Sequence, residues 1–141
     1  MKHSAFHLAL PCYSVTKTKA FYVDVLGAKL GRHSTQWADI DLYGNQITFT
    51  KSGEFNFVYK SYKFEDQVLP SFHFGVILDE KSWKSAQQRL SVNVEGMTEG
   101  ITFLKNKAGE HTSFFVEDPN GYVVEFKCFK EAKQVFVSQN S

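Results

Sequence analysis

Three residues of metal-binding type stand inside short apolar runs of this sequence, where ionisable side chains are unusual. They are His7, His73 and Glu125. Each run is expected to form a strand, and because side chains alternate across a strand, each of the three points away from its bulky apolar neighbours. The apolar faces are predicted to pack against helices. The two imidazoles and the carboxylate are then left for the opposite face.

Two imidazole nitrogens and one carboxylate oxygen form a three-ligand set for a single divalent ion. The set suits Fe(II), Mn(II), Zn(II) or Ni(II), and it leaves coordination positions open for water or a substrate. A single histidine in an apolar strand is more often a core or interface residue than a ligand. Glu125, however, stands in Val-Val-Glu-Phe, where a buried carboxylate needs a cation, hydrogen bonds or solvent. The combination favours a metal site.

The two histidines occupy matching places in a faint internal repeat. The run Phe6-His7-Leu8-Ala9-Leu10 is similar to Phe72-His73-Phe74-Gly75-Val76, and nearly half the chain separates them. Each run is followed by a segment with the apolar spacing of a helix and then by three strand candidates. Each half is therefore predicted to form a βαβββ module, and the chain an α+β fold.

The predicted elements of both halves have recognisable boundaries. Ser14 or Thr16 is expected to cap the first helix, which Gly27 ends, and Asp79 or Ser82 the second. The strands predicted after these helices are Lys29–His33, Trp37–Leu42, Gln46–Lys51, Ile101–Lys105, Thr112–Glu117 and Tyr122–Cys128. Aligning the last strand of each half places Thr48 opposite Glu125. A fourth strong ligand is therefore not expected.

The length of 141 residues fits a single domain built from the two modules. Module 1 is assigned to about 5–51, a connection to 52–71, module 2 to about 72–129 and a tail or short helix to 130–141. The formal charge of +1, without a basic stripe, argues against a nucleic-acid partner. No apolar segment approaches the roughly 20 residues of a membrane span or has the pattern of a signal peptide. A cytoplasmic protein without a membrane partner is expected.

At these residues the sequence resembles the vicinal oxygen chelate superfamily, which includes glyoxalase I, extradiol dioxygenases, fosfomycin-modifying thiol transferases and bleomycin-resistance proteins. The two Phe-His runs and the segment from Glu117 to Glu125 carry the resemblance, which covers about Phe6 to Phe129. It implies paired βαβββ modules whose curved mixed sheets enclose a metal ion chelated by two adjacent substrate oxygens. His7, His73 and Glu125 fall at the ligand positions, and a homodimer is implied.

The sequence departs from each of the familiar reactions of this superfamily. Glyoxalase I carries a carboxylate or amide where Thr48 stands, and the fosfomycin transferases carry a threonine where Ala9 lies. The ring-cleaving dioxygenases carry a tyrosine where Phe115 stands and a histidine several residues upstream of His111. These departures weaken all three reactions for this chain. The substrate-binding residues predicted for the cup are Arg32, Trp37, Thr48 and Phe115.

Two functions follow from this sequence. The first is a glyoxalase- or dioxygenase-like metalloprotein, a lyase or dioxygenase in type, in which one divalent ion chelates a small oxygenated substrate and acts as a Lewis acid. The alternative is a non-catalytic binding protein of the bleomycin-resistance type that holds a small molecule in an aromatic cleft. The three ligands favour the first, because sequestration needs no metal.

Overall fold

The computed structural model describes residues 4–94, 97 and 100–138. The chain divides into two compact units, the first formed by Met1–Phe57 with Asp118–Gly121 and the second by Val58–Glu117 with Tyr122–Ser141. Each unit contains one four-stranded mixed sheet in which the first strand is parallel to the last. Along each module a strand is followed by a helix and then by three more strands of the same sheet. The predicted α+β class with two βαβββ modules is therefore confirmed.

The first unit contains four strands and one helix. They are β1 His7–Cys12, α1 Val15–Lys19, β2 Lys29–His33, β3 Trp37–Leu42 and β4 Asn45–Lys51, and the sheet order is β1-β4-β3-β2. Helix α1 continues as a π-helical segment, Ala20–Val25. Ser14 caps α1 by accepting a hydrogen bond from the Lys17 amide at 3.1 Å, and Gly27 follows at a φ of 79°.

The described residues of the second unit form six strands and one longer helix. They are β5 Ser61–Phe64, β6 Gln67–Pro70, β7 Phe74–Ile77, α2 Glu80–Asn93, β8 Ile101–Phe103, β9 His111–Glu117 and β10 Val123–Phe129. The sheet order is β7-β10-β9-β8, and β5 and β6 form a separate hairpin. Asp79 caps α2 through the Ser82 amide at 2.7 Å. A single 3-10 turn, Ala132–Gln134, follows the last strand.

In both units the helix covers the apolar face of the sheet. In the first unit the rings of Tyr22 and Phe49 have centroids 4.8 Å apart, and both residues are fully buried. In the second unit Trp83 packs 5.3 Å from Phe114 and donates its indole N–H to the Phe126 carbonyl at 2.8 Å. These contacts occupy one face of each sheet, so the residues that alternate with them along each strand point to the other face.

The structure departs from the predicted elements in two places. His73 lies just before β7 and not inside it, because the strand begins at Phe74. The connection 52–71 contains the hairpin β5–β6, whose turn places Glu65 and Asp66 at φ values of 48° and 67°. Positive φ is unusual for residues other than glycine, which is why this turn was not apparent from residue type. No helix among the described residues is long and apolar enough to cross a membrane.

Candidate metal centre and adjoining cleft

His73 and Glu125 form a close pair within the second unit. The Nε2 atom of His73 lies 3.0 Å from Oε1 of Glu125. Glu125 is buried, with 8% of its surface exposed. Glu125 is directed away from the helix-covered face by the alternation of β10, and its register partner in β7 is Gly75. A Cβ atom at Gly75 would lie 1.8 Å from the Glu125 carbonyl oxygen, so only glycine permits this approach.

The hydrogen bonds of His73 leave two electron-rich atoms facing each other. Its Nδ1 atom lies 3.0 Å from the Pro70 carbonyl oxygen, and a carbonyl only accepts, so Nδ1 carries a proton. In the neutral ring Nε2 then presents a lone pair, and it faces a carboxylate oxygen. A cation must lie between them. That cation is either a proton, which makes the ring an imidazolium, or a metal ion.

Ser113 holds the other oxygen of the carboxylate. Its hydroxyl donates to Oε2 of Glu125 at 2.6 Å, and the Lys127 ammonium lies 3.8 Å from the same oxygen. Burial alone would raise the pKa of Glu125, but the hydrogen bonds from His73 and Ser113 outweigh burial and hold the pKa below its usual value. Glu125 is therefore an ionised carboxylate with a fixed orientation.

The charge on His73 responds to the same contact. The hydrogen bond to Glu125 raises the pKa of His73 above its usual value, with a smaller contribution from the Pro70 carbonyl, while partial burial opposes both. Protonation of His73 and metal binding compete for Nε2, because an imidazole must be neutral to ligate.

The geometry of this pair fits two ligands of one divalent ion. Nε2 of His73 and Oε1 of Glu125 are 3.0 Å apart, close enough for both to contact one ion at ordinary metal–ligand bond lengths of about 2.1 Å. The ring nitrogen remote from the ion is hydrogen-bonded to a carbonyl, the usual arrangement for a ligating histidine. Among the described residues no cluster of three or more His, Cys, Asp or Glu side chains is present. The pair supplies two of the three predicted ligands.

The third predicted ligand, His7, lies in the first unit, where it begins β1 and is exposed. The register of β1 and β4 pairs Ala9 with Thr48, just as Gly75 pairs with Glu125 in the second unit. Thr48 and Glu125 therefore occupy equivalent places in the two sheets, as the sequence repeat predicted. The prediction that His7 ligates the same ion stays a prediction.

Two of the predicted substrate-binding residues, Arg32 and Thr48, bind Asp39, a buried carboxylate not singled out from the sequence. Thr48 donates to its Oδ1 atom at 2.6 Å, and Arg32 donates Nε to its Oδ2 atom at 2.9 Å. Gln46 donates to Oδ2 at 3.2 Å. The Arg32 guanidinium lies 5.6 Å from the Trp37 ring centroid, so Trp37 joins the same network.

The network determines the charge of Asp39, which is 3% exposed. Burial on its own would raise the pKa of Asp39, but the hydrogen bonds from Thr48 and Arg32 and the charge of Arg32 outweigh it and hold the pKa below its usual value. A cleft of about 400 Å³ opens beside it, lined by Arg32, Asp41, Asn45 and Gln46 among others. The first sheet thus presents a polar, charge-paired surface.

Phe115, the fourth predicted substrate-binding residue, lies in the second unit beside the histidine–glutamate pair. Its ring centroid is 5.9 Å from that of His73, edge to face, and Glu125 is its register partner in β10. A cleft of about 170 Å³ adjoins the pair. Its lining residues are Tyr62, Phe64, Leu69, His73, Phe103, His111, Glu125 and Lys127. The hairpin β5–β6 supplies three of these.

The sequence missed four contributors to these surfaces. They are Asp39, Ser113, Lys127 and the hairpin β5–β6. Alternation offered a signal for the first three, because Ser113 and Lys127 share the strand face of Glu125 and Asp39 shares that of Thr48. The hairpin offered less, since its strands are four residues long and mostly exposed.

Asp118 to Gly121, part of the Glu117 to Glu125 segment that carries the resemblance, forms a turn inside the first unit. Asp118 accepts a hydrogen bond from the Tyr22 hydroxyl at 2.8 Å. Asn120 accepts one from the Tyr13 amide at 3.0 Å and donates to Thr18 at 3.2 Å. Buried polar groups require such partners. The motif therefore has a structural role in this chain in addition to leading into the strand of Glu125.

The chain has duplicated βαβββ modules, and the His73–Glu125 pair forms a candidate metal centre in the second one. Residues 4–126 match the sequence profile of the glyoxalase/bleomycin resistance protein/dioxygenase superfamily. The match spans most of the chain, and the chain belongs to this superfamily. No curated protein matches it significantly.

Solved structures share the architecture. A glyoxalase/bleomycin resistance protein/dioxygenase from Alicyclobacillus acidocaldarius is 25% identical, with 95% of this chain and 97% of that chain covered and a TM-score of 0.72. The fosfomycin resistance protein FosX from Listeria monocytogenes is 14% identical over 95% of this chain and 98% of that one, with a TM-score of 0.63. A putative glyoxalase family protein from Bacillus anthracis is 17% identical, with coverages of 91% and 96% and a TM-score of 0.63. The last two likenesses concern the fold alone.

Proposed function

We propose that the protein is a divalent-metal-dependent enzyme that acts on a small oxygenated substrate, with His7, His73 and Glu125 as the metal ligands. The observation that carries the proposal is the 3.0 Å approach of the His73 Nε2 lone pair to the Glu125 carboxylate. A cation joins these two atoms, a proton in the metal-free protein and a metal ion in the proposed metal-bound form. His7 belongs to the proposal through its place in the repeat and through the family resemblance.

The bound ion, Fe(II), Mn(II), Zn(II) or Ni(II), would polarise a substrate oxygen and stabilise negative charge that develops on it. The chain's own residues prepare this chemistry. The Pro70 carbonyl holds the proton on Nδ1 of His73, so Nε2 is the atom that would ligate once it has lost its own proton. Ser113 fixes the carboxylate, so that one oxygen remains directed at the ion. Such prior orientation lowers the reorganisation that accompanies reaction.

The substrate would lie in the 170 Å³ cleft beside the pair, with Phe115 next to His73, and would displace water from the aromatic lining. Water exclusion strengthens the electrostatic effect of a charge on a bound oxygen. Arg32, Trp37 and Thr48 are proposed to contact the substrate from the sheet of the first unit. Because Thr48 already donates its proton to Asp39, its oxygen is left to accept a hydrogen bond from a substrate hydroxyl or a bound water.

The proposal also includes a homodimer, on the strength of the family resemblance. His7 would then reach the ion from the same chain or from a second copy. A mixing experiment described in the Discussion separates the two arrangements.

Elemental analysis of protein purified without chelators tests the ligand set. About one ion per chain is expected for the wild type, and Glu125→Ala and His7→Ala should each lower the metal content at least tenfold under competition with a chelator. His33→Ala, at an exposed position of β2, is the matched control and should retain the ion. Unchanged metal content in both ligand variants would refute the proposal. A small molecule bound tightly and released unaltered by metal-free protein would instead support the binding-protein alternative.

A further inference from the structure

The hairpin β5–β6 forms one wall of the cleft beside His73 and Glu125 without joining the sheet of the second unit. It supplies Tyr62, Phe64 and Leu69 to the lining of that cleft. Its two strands bond to each other as a separate two-stranded sheet. A hairpin with four residues in each strand is at most marginally stable alone, so its position depends on contacts with the rest of the unit.

The base of the hairpin is fixed by two hydrogen bonds. The Ser71 amide donates to the Lys60 carbonyl at 2.9 Å, and Nδ1 of His73 donates to the Pro70 carbonyl at 3.0 Å. Both bonds lie where the first strand of the hairpin begins and the second one ends. Because the base is held in this way, a movement of the hairpin is largest at its turn.

The turn of the hairpin contacts the end of β8. Oε1 of Glu65 accepts a hydrogen bond from the Leu104 amide at 2.5 Å, and beside it the ring centroids of Phe64 and Phe103 are 5.5 Å apart. Glu65 is exposed, so water competes for its carboxylate and the bond can break and re-form. This hydrogen bond, the latch, therefore holds the turn against β8 without fixing it there.

Both partners of the latch have backbone conformations that residues other than glycine rarely adopt. The φ angle is 48° at Glu65 and 55° at Leu104. For a residue as bulky as leucine this conformation is unfavourable, and it persists only where the surrounding contacts impose it. Such residues are concentrated at ligand clamps and switch segments. Relaxation of either backbone segment would offset part of the loss of the hydrogen bond when the latch opens.

Little apolar surface of the hairpin is buried against the rest of the unit. Leu69 is buried at 8% exposure, but its register partner Tyr62 and the adjacent Val68 are 42% and 66% exposed. Segments with few buried apolar contacts open at lower free energy than the strands of the core. Because Leu69 lines the cleft, an opening that releases it also opens the cleft.

We propose that the hairpin β5–β6 is a lid on this cleft and that the hydrogen bond between Glu65 and Leu104 latches the lid closed. In the open state the turn moves away from β8, and small molecules reach Leu69 and the interior of the cleft. The inference names how entry to the proposed site is regulated, and it rests on the proposed function in assigning this cleft to the substrate.

Opening is measured by the rate at which iodoacetamide, a small neutral reagent, alkylates a thiol introduced by Leu69→Cys. The protein is kept metal-free with chelator, and peptide masses distinguish this thiol from Cys12 and Cys128. Leu90→Cys is the reference, because Leu90 lies on α2 of the same unit and is 1% exposed. The thiol at position 69 should react at least about tenfold faster than the one at position 90, which requires unfolding of the unit.

Glu65→Met keeps the length of the side chain and removes the acceptor. It should raise the alkylation rate at position 69 about fivefold, the effect of one hydrogen bond, and leave the rate at position 90 unchanged. Glu65→Gln keeps a carbonyl oxygen as acceptor and should give an intermediate rate. Asp66→Asn is the matched control, because it removes the neighbouring charge of the same turn without altering the latch.

Equal alkylation rates at the two positions would overturn the inference, because the thiol at position 69 would then be reached through unfolding of the unit. A rate at position 69 that Glu65→Met leaves unchanged, or a rate that it raises equally at both positions, would also overturn it.

Zinc affinity, measured in chains that retain Leu69, distinguishes a lid from a residue that orients the ligands. Glu65→Met should change this affinity by no more than about twofold, since the latch is distant from the ligand atoms. A larger loss would show that the latch orients His73, and it would overturn the assignment of a lid. A wild type that takes up no metal but reacts faster at position 69 than at position 90 would refute the proposed function alone.

Discussion

Ser113 and Glu125 are joined by a 2.6 Å hydrogen bond that leaves one carboxylate oxygen facing Ser113 and the other facing His73. The serine is fully buried on β9, and the glutamate lies on the neighbouring strand. The two contacts hold the carboxylate plane before any ion binds. The contribution of Ser113 to metal affinity can therefore be measured separately from that of the ligands.

Ser113→Ala should weaken metal binding by about tenfold while leaving the fold intact, because residues that orient a ligand typically contribute 10- to 100-fold in affinity. Competition with a chromophoric chelator measures the loss. Ser91→Ala, on the exposed side of α2, serves as the control. Unchanged affinity in Ser113→Ala would show that Glu125 keeps its orientation without the serine.

Gly75→Ala should destabilise the second unit by about 2 kcal/mol or more, since a Cβ placed 1.8 Å from the Glu125 carbonyl oxygen forces β7 and β10 apart. Chemical denaturation measures the change. The equivalent position in the first module is Ala9, which already carries a Cβ, so Ala9→Gly should cost only about 0.5 to 1 kcal/mol. Similar costs for the two substitutions would contradict the argument from close approach.

Asp39 should make the protein lose stability in acid. Its pKa is lower in the folded chain than its usual value of 3.8, so its stabilisation is fully present above that pH and is lost as the pH falls through the lower, folded-state value. Asp39→Asn removes this pH dependence and costs about 1 to 3 kcal/mol at neutral pH.

Urea denaturation between neutral pH and pH 3 measures the difference between wild type and Asp39→Asn, which should shrink at the acid end. Asp66→Asn, at an exposed turn position that suits asparagine, is the control and should track the wild type. If the stability difference between wild type and Asp39→Asn grew in acid, its pH dependence would have the opposite sign. The Arg32–Asp39 ion pair would then not be its cause.

Mixing two variants that each lack one proposed metal ligand should show whether one chain or two chains supply the ligands of a site. If His7 reaches the ion from a second copy, a heterodimer of His7→Ala and Glu125→Ala chains contains one intact site and one doubly altered site. Random exchange of chains then restores about a quarter of the wild-type metal content. If all three ligands come from one chain, every chain lacks one ligand and mixing restores nothing. Unmixed variants provide the baseline.

Much of the fold was predictable because the sequence repeats itself. The alternation of apolar residues placed His7, Thr48 and Glu125 on their strand faces, and strand registers confirm that Thr48 and Glu125 are equivalent. Turn and capping residues located the helices to within a few residues. These features depend on local sequence, which is where periodicity and capping rules apply.

The rest depended on contacts between distant residues. The sequence did not indicate that Asp39 would accept hydrogen bonds from Arg32 and Thr48. A polar residue in a predicted strand is assumed to face solvent until its neighbours are known. The proton on Nδ1 of His73 depends on the Pro70 carbonyl, a backbone group that residue type does not indicate. The hairpin β5–β6 turns through two residues at positive φ that are not glycine.

The strand register pairs Asp39 with Thr48 in the first sheet and Phe115 with Glu125 in the second. Asp39 and Phe115 therefore occupy equivalent positions in the two sheets. The second sheet holds the Glu125 carboxylate with its supporting serine, and the first sheet holds Thr48 in a charge-paired network at the equivalent place. The first sheet therefore does not have to hold the Glu125 carboxylate. Its side chains can change the polarity offered to a ligand without altering that carboxylate.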